Sequence, residues 1–341
     1  MNNKTVIVFG GTGTVGAYTC VALKCNGFDV ISCGGRHSDN GFFQGEGIEY
    51  ISLDITDESS FSKLPVKDIY AVVNLSGALP ARMEGYEPQH YIDVNITGSL
   101  NIFKYCSKVN PEIVISTKSI ADVSNLCGKK APIPSDVVPG FPIDNDHSVY
   151  CITKNAAADL LVHYAHHLGF KYYILRFPNI YLYHPNPYYY LNGELIWQGY
   201  RLMIHKAIRN EPIAVWGNPK IERDIVYVKD CVQIIVNCLS NRAESGTYNV
   251  GTGKGVTMAE QVEGIVKVFG GEHYSHSITF EPSKPDSTEY IFDISKTSSL
   301  LGYTPQYDYI NYLADFKSEM LLQRFVKLWG EDVTGDLELL K

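Results

Sequence analysis

Residues 6–16, VIVFGGTGTVG, constrain the chain more than any other stretch. An apolar run stops at glycines spaced three apart, Gly10, Gly13 and Gly16. Such a pattern reads as a strand, a tight turn and the first turn of a helix. Glycine lets the backbone turn sharply and approach a pyrophosphate, while the helix start at Thr14 and Val15 presents free N–H groups and partial positive charge. An ordinary tight turn has the same composition. The position at the first strand-to-helix junction is what makes the functional reading the stronger one.

Short β-rich runs follow in alternation with helical patterns: DVISC, YISL, IYAVVNL, EIVIST and KYYILRF. This alternation predicts an α/β fold of the Rossmann type, a doubly wound parallel sheet. Long helices are predicted over residues 87–109 and 148–168, the second with Val149, Ile152, Ala156, Leu160, Tyr164 and Leu168 on one face. Past Asn179 the pattern loosens and Pro and Tyr cluster. We read residues 1–178 as a dinucleotide-binding domain, to which about 224–250 return, and 179–330 as a smaller, partly interleaved C-terminal α/β substrate-binding domain.

A net charge of -8 disfavours a broad nucleic-acid surface but leaves room for a local anion pocket. Eight scattered cysteines without a C-x-x-C pair suit a reducing compartment. No signal or transit segment and no membrane-spanning run are evident, so a cytoplasmic protein is expected. A metal is not expected: His163, His166 and His167 have usable spacing, but a solvated helix face explains them better.

At the end of the second strand, where NAD sites usually place an acid, the chain has Gly34, Gly35 and then Arg36. A guanidinium there can pair with a 2′-phosphate, which favours NADP(H) over NAD(H). Asp54 is open to two roles, accepting from an adenine amino group or capping the next helix. Leu75, Ser76 and Gly77, after the fourth strand, would line the same site.

In HSVYCITK, Tyr150 and Lys154 stand at i and i+4 on one helical face, where the ammonium can favour the phenolate. Alone, this pair is common by chance. The order is more specific: glycine turn, NLSGA, Asn95 in a long helix, the hydroxyl strand end at Thr117, Tyr150 with Lys154, then LRFPNIY, ERDIVYVKDCVQII and YNVGTGKGVT. Over residues 4–315 the chain resembles the extended short-chain dehydrogenase/reductase family, in particular its nucleotide-sugar epimerase and dehydratase branch.

That resemblance implies a catalytic set of Thr117, Tyr150 and Lys154, with Asn95 beside it, and contacts from Asn179 and Arg223 to a nucleotide-sugar diphosphate. Tyr150 would exchange a proton with a sugar hydroxyl while the carbon passes hydride to nicotinamide, and Thr117 would hold the substrate oxygen. A homodimer through the two long helices is a further family expectation. The acid pair that follows the threonine in family dehydratases is replaced by Lys118 and Ser119, and the glutamate of the decarboxylases is absent, which leaves an epimerase or a ketoreductase. The usual Y-G-P is Tyr181, Leu182, Tyr183, so the pocket has its own shape.

Lys118 is read as a solvated residue past the strand end, with an anion contact on the substrate as the other option. His184 is read as an exposed loop histidine rather than a proton donor. The tyrosines of YLYHPNPYYY would stack on a nucleotide base or cap the pocket, or pack against the domain or a second subunit. A non-catalytic NADP(H) sensor and an oxidoreductase of non-sugar ketones remain the alternatives.

Overall fold

The computed structural model describes residues 4–129, 131–145, 147–241 and 243–340. Six strands, β1 (Thr5–Phe9), β2 (Asp29–Gly34), β3 (Glu49–Ser52), β4 (Ile69–Asn74), β5 (Ile113–Ser119) and β6 (Lys171–Phe177), join β7 (Gly246–Asn249) in one sheet. The order is β7-β6-β5-β4-β1-β2-β3 and every pairing is parallel. Alternation along the strands feeds two cores. In β1, Val6 and Val8 join Ala17 and Val21 of helix α1 (Thr14–Cys25) on one face, and Ile7 and Phe9 join Ile102 and Phe103 of α2 (Ser99–Val109) on the other. Both faces are thus covered, as an all-parallel sheet requires.

The predicted helix over residues 87–109 is continuous but not uniform. Pro88 opens it, Ile92–Gly98 widens into π turns, and α2 completes it. Asn95 lies within the π stretch and faces the protein, where it is 2% exposed. The second long helix, α3 (His147–Leu168), packs Ala158, Leu161 and Ala165 onto the sheet.

Beyond β6 the chain builds small two-stranded pairings, among them Ile180–Tyr181 with Val226–Tyr227 and Glu222–Asp224 with Gly255–Thr257. Helix α4 (Val228–Ser240) then returns to the sheet, and β7 extends the sheet edge beside β6. Tyr181, Leu182 and Tyr183 are buried in a core shared with α4, so these tyrosines pack internally. No described helix is long and apolar enough to cross a membrane.

Candidate active site

The carboxyl ends of β1, β4, β5 and β6 open into one cleft of about 1100 Å³, at the point where strand order reverses between β1 and β4. The glycine turn forms one end. Gly10 has φ +79°, and a Cβ there would lie 2.7 Å from the backbone of Leu75 and Ser76; a Cβ on Gly16 would lie 2.0 Å from the Gly10 carbonyl oxygen. The turn therefore sits against the exit of β4 with no room for side chains. Gly13 caps α1 without any side-chain hydrogen bond, so the first-turn N–H groups at Thr14 and Val15 are left to the cleft they line. Those donors and that close approach fit a dinucleotide pyrophosphate.

Leu75, Ser76 and Gly77 line the facing wall, held by Asn74 Oδ1, which accepts from Ser76 N at 3.1 Å and Oγ at 2.5 Å. Asn95 lies one layer behind them. It accepts from Ala78 N at 2.9 Å and donates to Thr153 Oγ1 at 3.1 Å, so it braces the wall and does not line the cleft. Asp54 is not the cap of the next helical turn. Its Oδ1 accepts from Thr56 N and Oγ1, closing a local turn outside the cleft lining, and Asp57 is the cap. Arg36 stands exposed at the rim, where its Nη1 donates to the Leu328 carbonyl at 2.5 Å.

At the other end, β5 and α3 bring Thr117, Ser119, Tyr150 and Lys154 together. Lys154 Nζ donates to Thr117 Oγ1 at 3.0 Å, and burial lowers the lysine pKa to about 8. Tyr150 is 7% exposed, and burial raises its phenol pKa; the side chain beside it that opposes the rise is Ser119, not Thr117. Ser119 Oγ is itself oriented by accepting from Ala121 N at 3.2 Å. Position 119 follows 117 on the same strand face, a period-2 signal that the sequence carried.

Lys118 is not solvated. It is 9% exposed, because β5 continues to Ser119 and turns it in toward Asp122 and Arg176, and burial lowers its pKa. His184 also departs from its expected exposure: its Nδ1 accepts from Asn186 N at 3.1 Å and its ring lies 5.0 Å from that of Trp329. Burial, with Arg82, Arg201 and Arg36 nearby, lowers its pKa to about 4 against an opposing Asn186 backbone bond. No group of three or more metal-ligating side chains comes together among the described residues.

Asn179 and Arg223 line the far side of the cleft, Arg223 held by donating from Nε to the Thr288 carbonyl at 2.8 Å. Arg82 and Trp329 also line it, and neither carries a local motif that marks it in the sequence. Among the described lining residues, Arg36, Arg82, Lys118, Lys154 and Arg223 are basic and none is Asp or Glu. A chain of net charge -8 thus has a locally cationic cavity, lined by five of its 29 lysines and arginines.

Comparisons with known proteins give the family and the fold. The profile of the NAD dependent epimerase/dehydratase family matches residues 6–251. The UDP-glucose 4-epimerase of Rhizobium meliloti is 24% identical over 330 residues, covering 90% of this chain and 94% of that protein. Among solved structures, UDP-glucose 4-epimerase from Thermotoga maritima with UDP-glucose superposes with a TM-score of 0.75 at 23% identity, over 93% of this chain and 99% of the other. The Thermus thermophilus UDP-glucose 4-epimerase complex with NAD gives 0.70 at 19% identity, over 92% and 98%. These structural likenesses establish the fold. The expected preference for NADP(H) draws no support from them, since the family description and the bound complex name NAD.

Proposed function

The chain belongs to the NAD dependent epimerase/dehydratase family, of the extended short-chain dehydrogenase/reductase type, and from that premise we propose that it is an NAD-dependent 4-epimerase of a UDP-activated sugar. The observation that carries this reading is the cleft lining, whose charged side chains are Arg36, Arg82, Lys118, Lys154 and Arg223, with no carboxylate among the described residues. A diphosphate linkage suits such a lining. Elimination of water needs an acid and a base beside the sugar, and the positions that would supply them hold Lys118 and Ser119.

Bound nicotinamide supplies the hydride acceptor and, in the return step, the donor. The chain's own residues handle the proton and the sugar. Tyr150 takes the proton from the C4 hydroxyl and returns it after the keto sugar has presented its opposite face, while Ser119 holds the reacting oxygen. Lys154, one helical turn on and anchored by Thr117, would hold the cofactor ribose, and the side chain that favours the phenolate against burial is Ser119. Arg223 and Asn179 anchor the diphosphate end. NAD(H) is preferred to NADP(H) here because the family description names NAD and Arg36 already gives one Nη1 donor to the Leu328 carbonyl. A homodimer through α2 and α3 would cover Ile152, which is 48% exposed.

Protein purified without added nucleotide, extracted and assayed with UDP-glucose, UDP-glucuronate and UDP-N-acetylglucosamine, tests the reading. Bound NAD(H) and C4 inversion of one of these sugars without net redox change are expected. Net consumption of NADPH with a 4-keto sugar, or release of water, would replace it with a reductase or a dehydratase.

A further inference from the structure

The last part of the chain lies beyond the region that the family profile matches, yet it reaches the cofactor end of the cleft. The single-turn helix α5 (Val326–Trp329) is fastened on three sides. Trp329 Nε1 donates to the Thr12 carbonyl of the glycine turn at 3.1 Å. From the rim after β2, Arg36 donates to Leu328 O at 2.5 Å and Asn40 Nδ2 to Lys327 O at 2.9 Å. On the cap side, the Trp329 ring meets His184 at 5.0 Å, and Val333 N donates to Pro185 O at 3.4 Å. Beneath, Phe325 packs between Tyr18 at 4.6 Å and Phe42 at 5.2 Å.

A segment tied to the glycine turn, to the β2 rim and to the cap lies at the cofactor end of the cleft, beside the place where a pyrophosphate would lie. Trp329 is the part of it that faces the cavity. We propose that residues 326–330 form a strap over the dinucleotide and that Trp329 is a wall of the cofactor site, so that the nucleotide leaves only when the strap does. This rests on reading the cleft as a nicotinamide dinucleotide site. It also gives that reading a physical counterpart: an enzyme that takes a hydride and returns it to the same sugar must keep one cofactor through both half-reactions. The bonds that fasten the strap are made to backbone carbonyls of Thr12, Lys327 and Leu328, so a local opening breaks them together without disturbing the sheet.

The test uses the full-length chain stripped of nucleotide and reloaded with NADH, whose release is followed by dilution into excess NAD. Trp329→Ala should release NADH about tenfold faster than wild type or more, a change carried by the off rate. Asn40→Gly removes one tether from an exposed position whose φ of 54° glycine accepts without strain, and should shift release in the same direction by a smaller factor. It keeps the inference testable if Trp329→Ala does not fold. Unchanged release in the folded variants would overturn the strap, and so would slower release, which would make Trp329 a plug. Wild-type protein that binds NADH but inverts no UDP-sugar would sink the functional reading and leave the strap standing. Wild-type inversion with release indifferent to Trp329 and Asn40 would do the reverse.

Discussion

Lys154 Nζ donates to Thr117 Oγ1 at 3.0 Å between two buried side chains, so the threonine oxygen supports the ammonium. The hydroxyl beside Tyr150 is that of Ser119. Ser119→Ala should therefore lower kcat more than Thr117→Val does, and Tyr150→Phe should lower it by about 10²–10⁴-fold as the loss of the proton-transfer group. Thr117→Val acts through the lysine. Losing an acceptor makes the ammonium harder to keep, so its pKa falls below about 8 and the alkaline limb of the rate profile moves to lower pH. Rate profiles of the three variants decide it: an unshifted limb in Thr117→Val with full activity in Ser119→Ala would reverse the two roles.

The sheet was legible because each strand is a short apolar run bounded by turn residues, and the glycine spacing fixed which strand comes first. Tyr150 and Lys154 were legible because helical spacing puts them on one face and the order of motifs around them singles the pair out. Contacts made at long range were not. Asn95 shares the inward helical face of Tyr91 and Ile102, but its bonds to Ala78 and Thr153 join residues 17 and 58 apart in sequence. Lys118 looked solvated because a charged residue past an apolar run usually is; its burial depends on Asp122 and Arg176, from the next turn and the neighbouring strand. Trp329 reaches Thr12 across 317 residues of sequence.

The pair beneath Lys118 yields a stability prediction. Arg176 Nε donates to Asp122 Oδ1 at 2.9 Å with both side chains 1% exposed, and Nη1 donates to the Ser135 carbonyl at 2.9 Å and to Asn249 Oδ1 at 3.0 Å. Asp122→Ala strips a buried guanidinium of its counter-charge and should cost about 3–5 kcal/mol. The double variant Asp122→Leu with Arg176→Met removes both charges and should cost less than Asp122→Ala alone. Urea unfolding of the three proteins measures this, and a double variant no more stable than the single one would contradict it.

At Gly16 the prediction is steric. A methyl group there meets the Gly10 carbonyl oxygen at 2.0 Å and the Gly11 Cα at 2.9 Å, and both belong to the turn that approaches the cofactor. Backbone cannot swing aside as a flexible side chain can. Gly16→Ala should reduce NADH affinity at least tenfold, about 1.4 kcal/mol, and lower the melting temperature of nucleotide-free protein as well. Fluorescence titration with NADH and a thermal melt test the two parts separately; unaltered affinity would mean that the turn is not where the pyrophosphate binds.

His184 predicts an acid sensitivity whose direction follows from its burial. Its pKa is lowered from 6.5 to about 4 in the folded chain, so between these values the unfolded chain binds more protons than the folded one. Stability from this group is fully present above pH 6.5 and is lost as pH falls through that window toward 4, with a slope of up to about 1.4 kcal/mol per pH unit. His184→Phe keeps a ring against Trp329 and has nothing to titrate. Urea unfolding at pH 7.5, 6.5, 5.5 and about 4.5 should show the wild type losing more stability than the variant across the acid range. Because the ring packs on Trp329, NADH release by the wild type should also quicken in acid more than release by His184→Phe. Equal acid dependence of the two proteins in both measurements would show that the imidazole gains its proton without leaving its place.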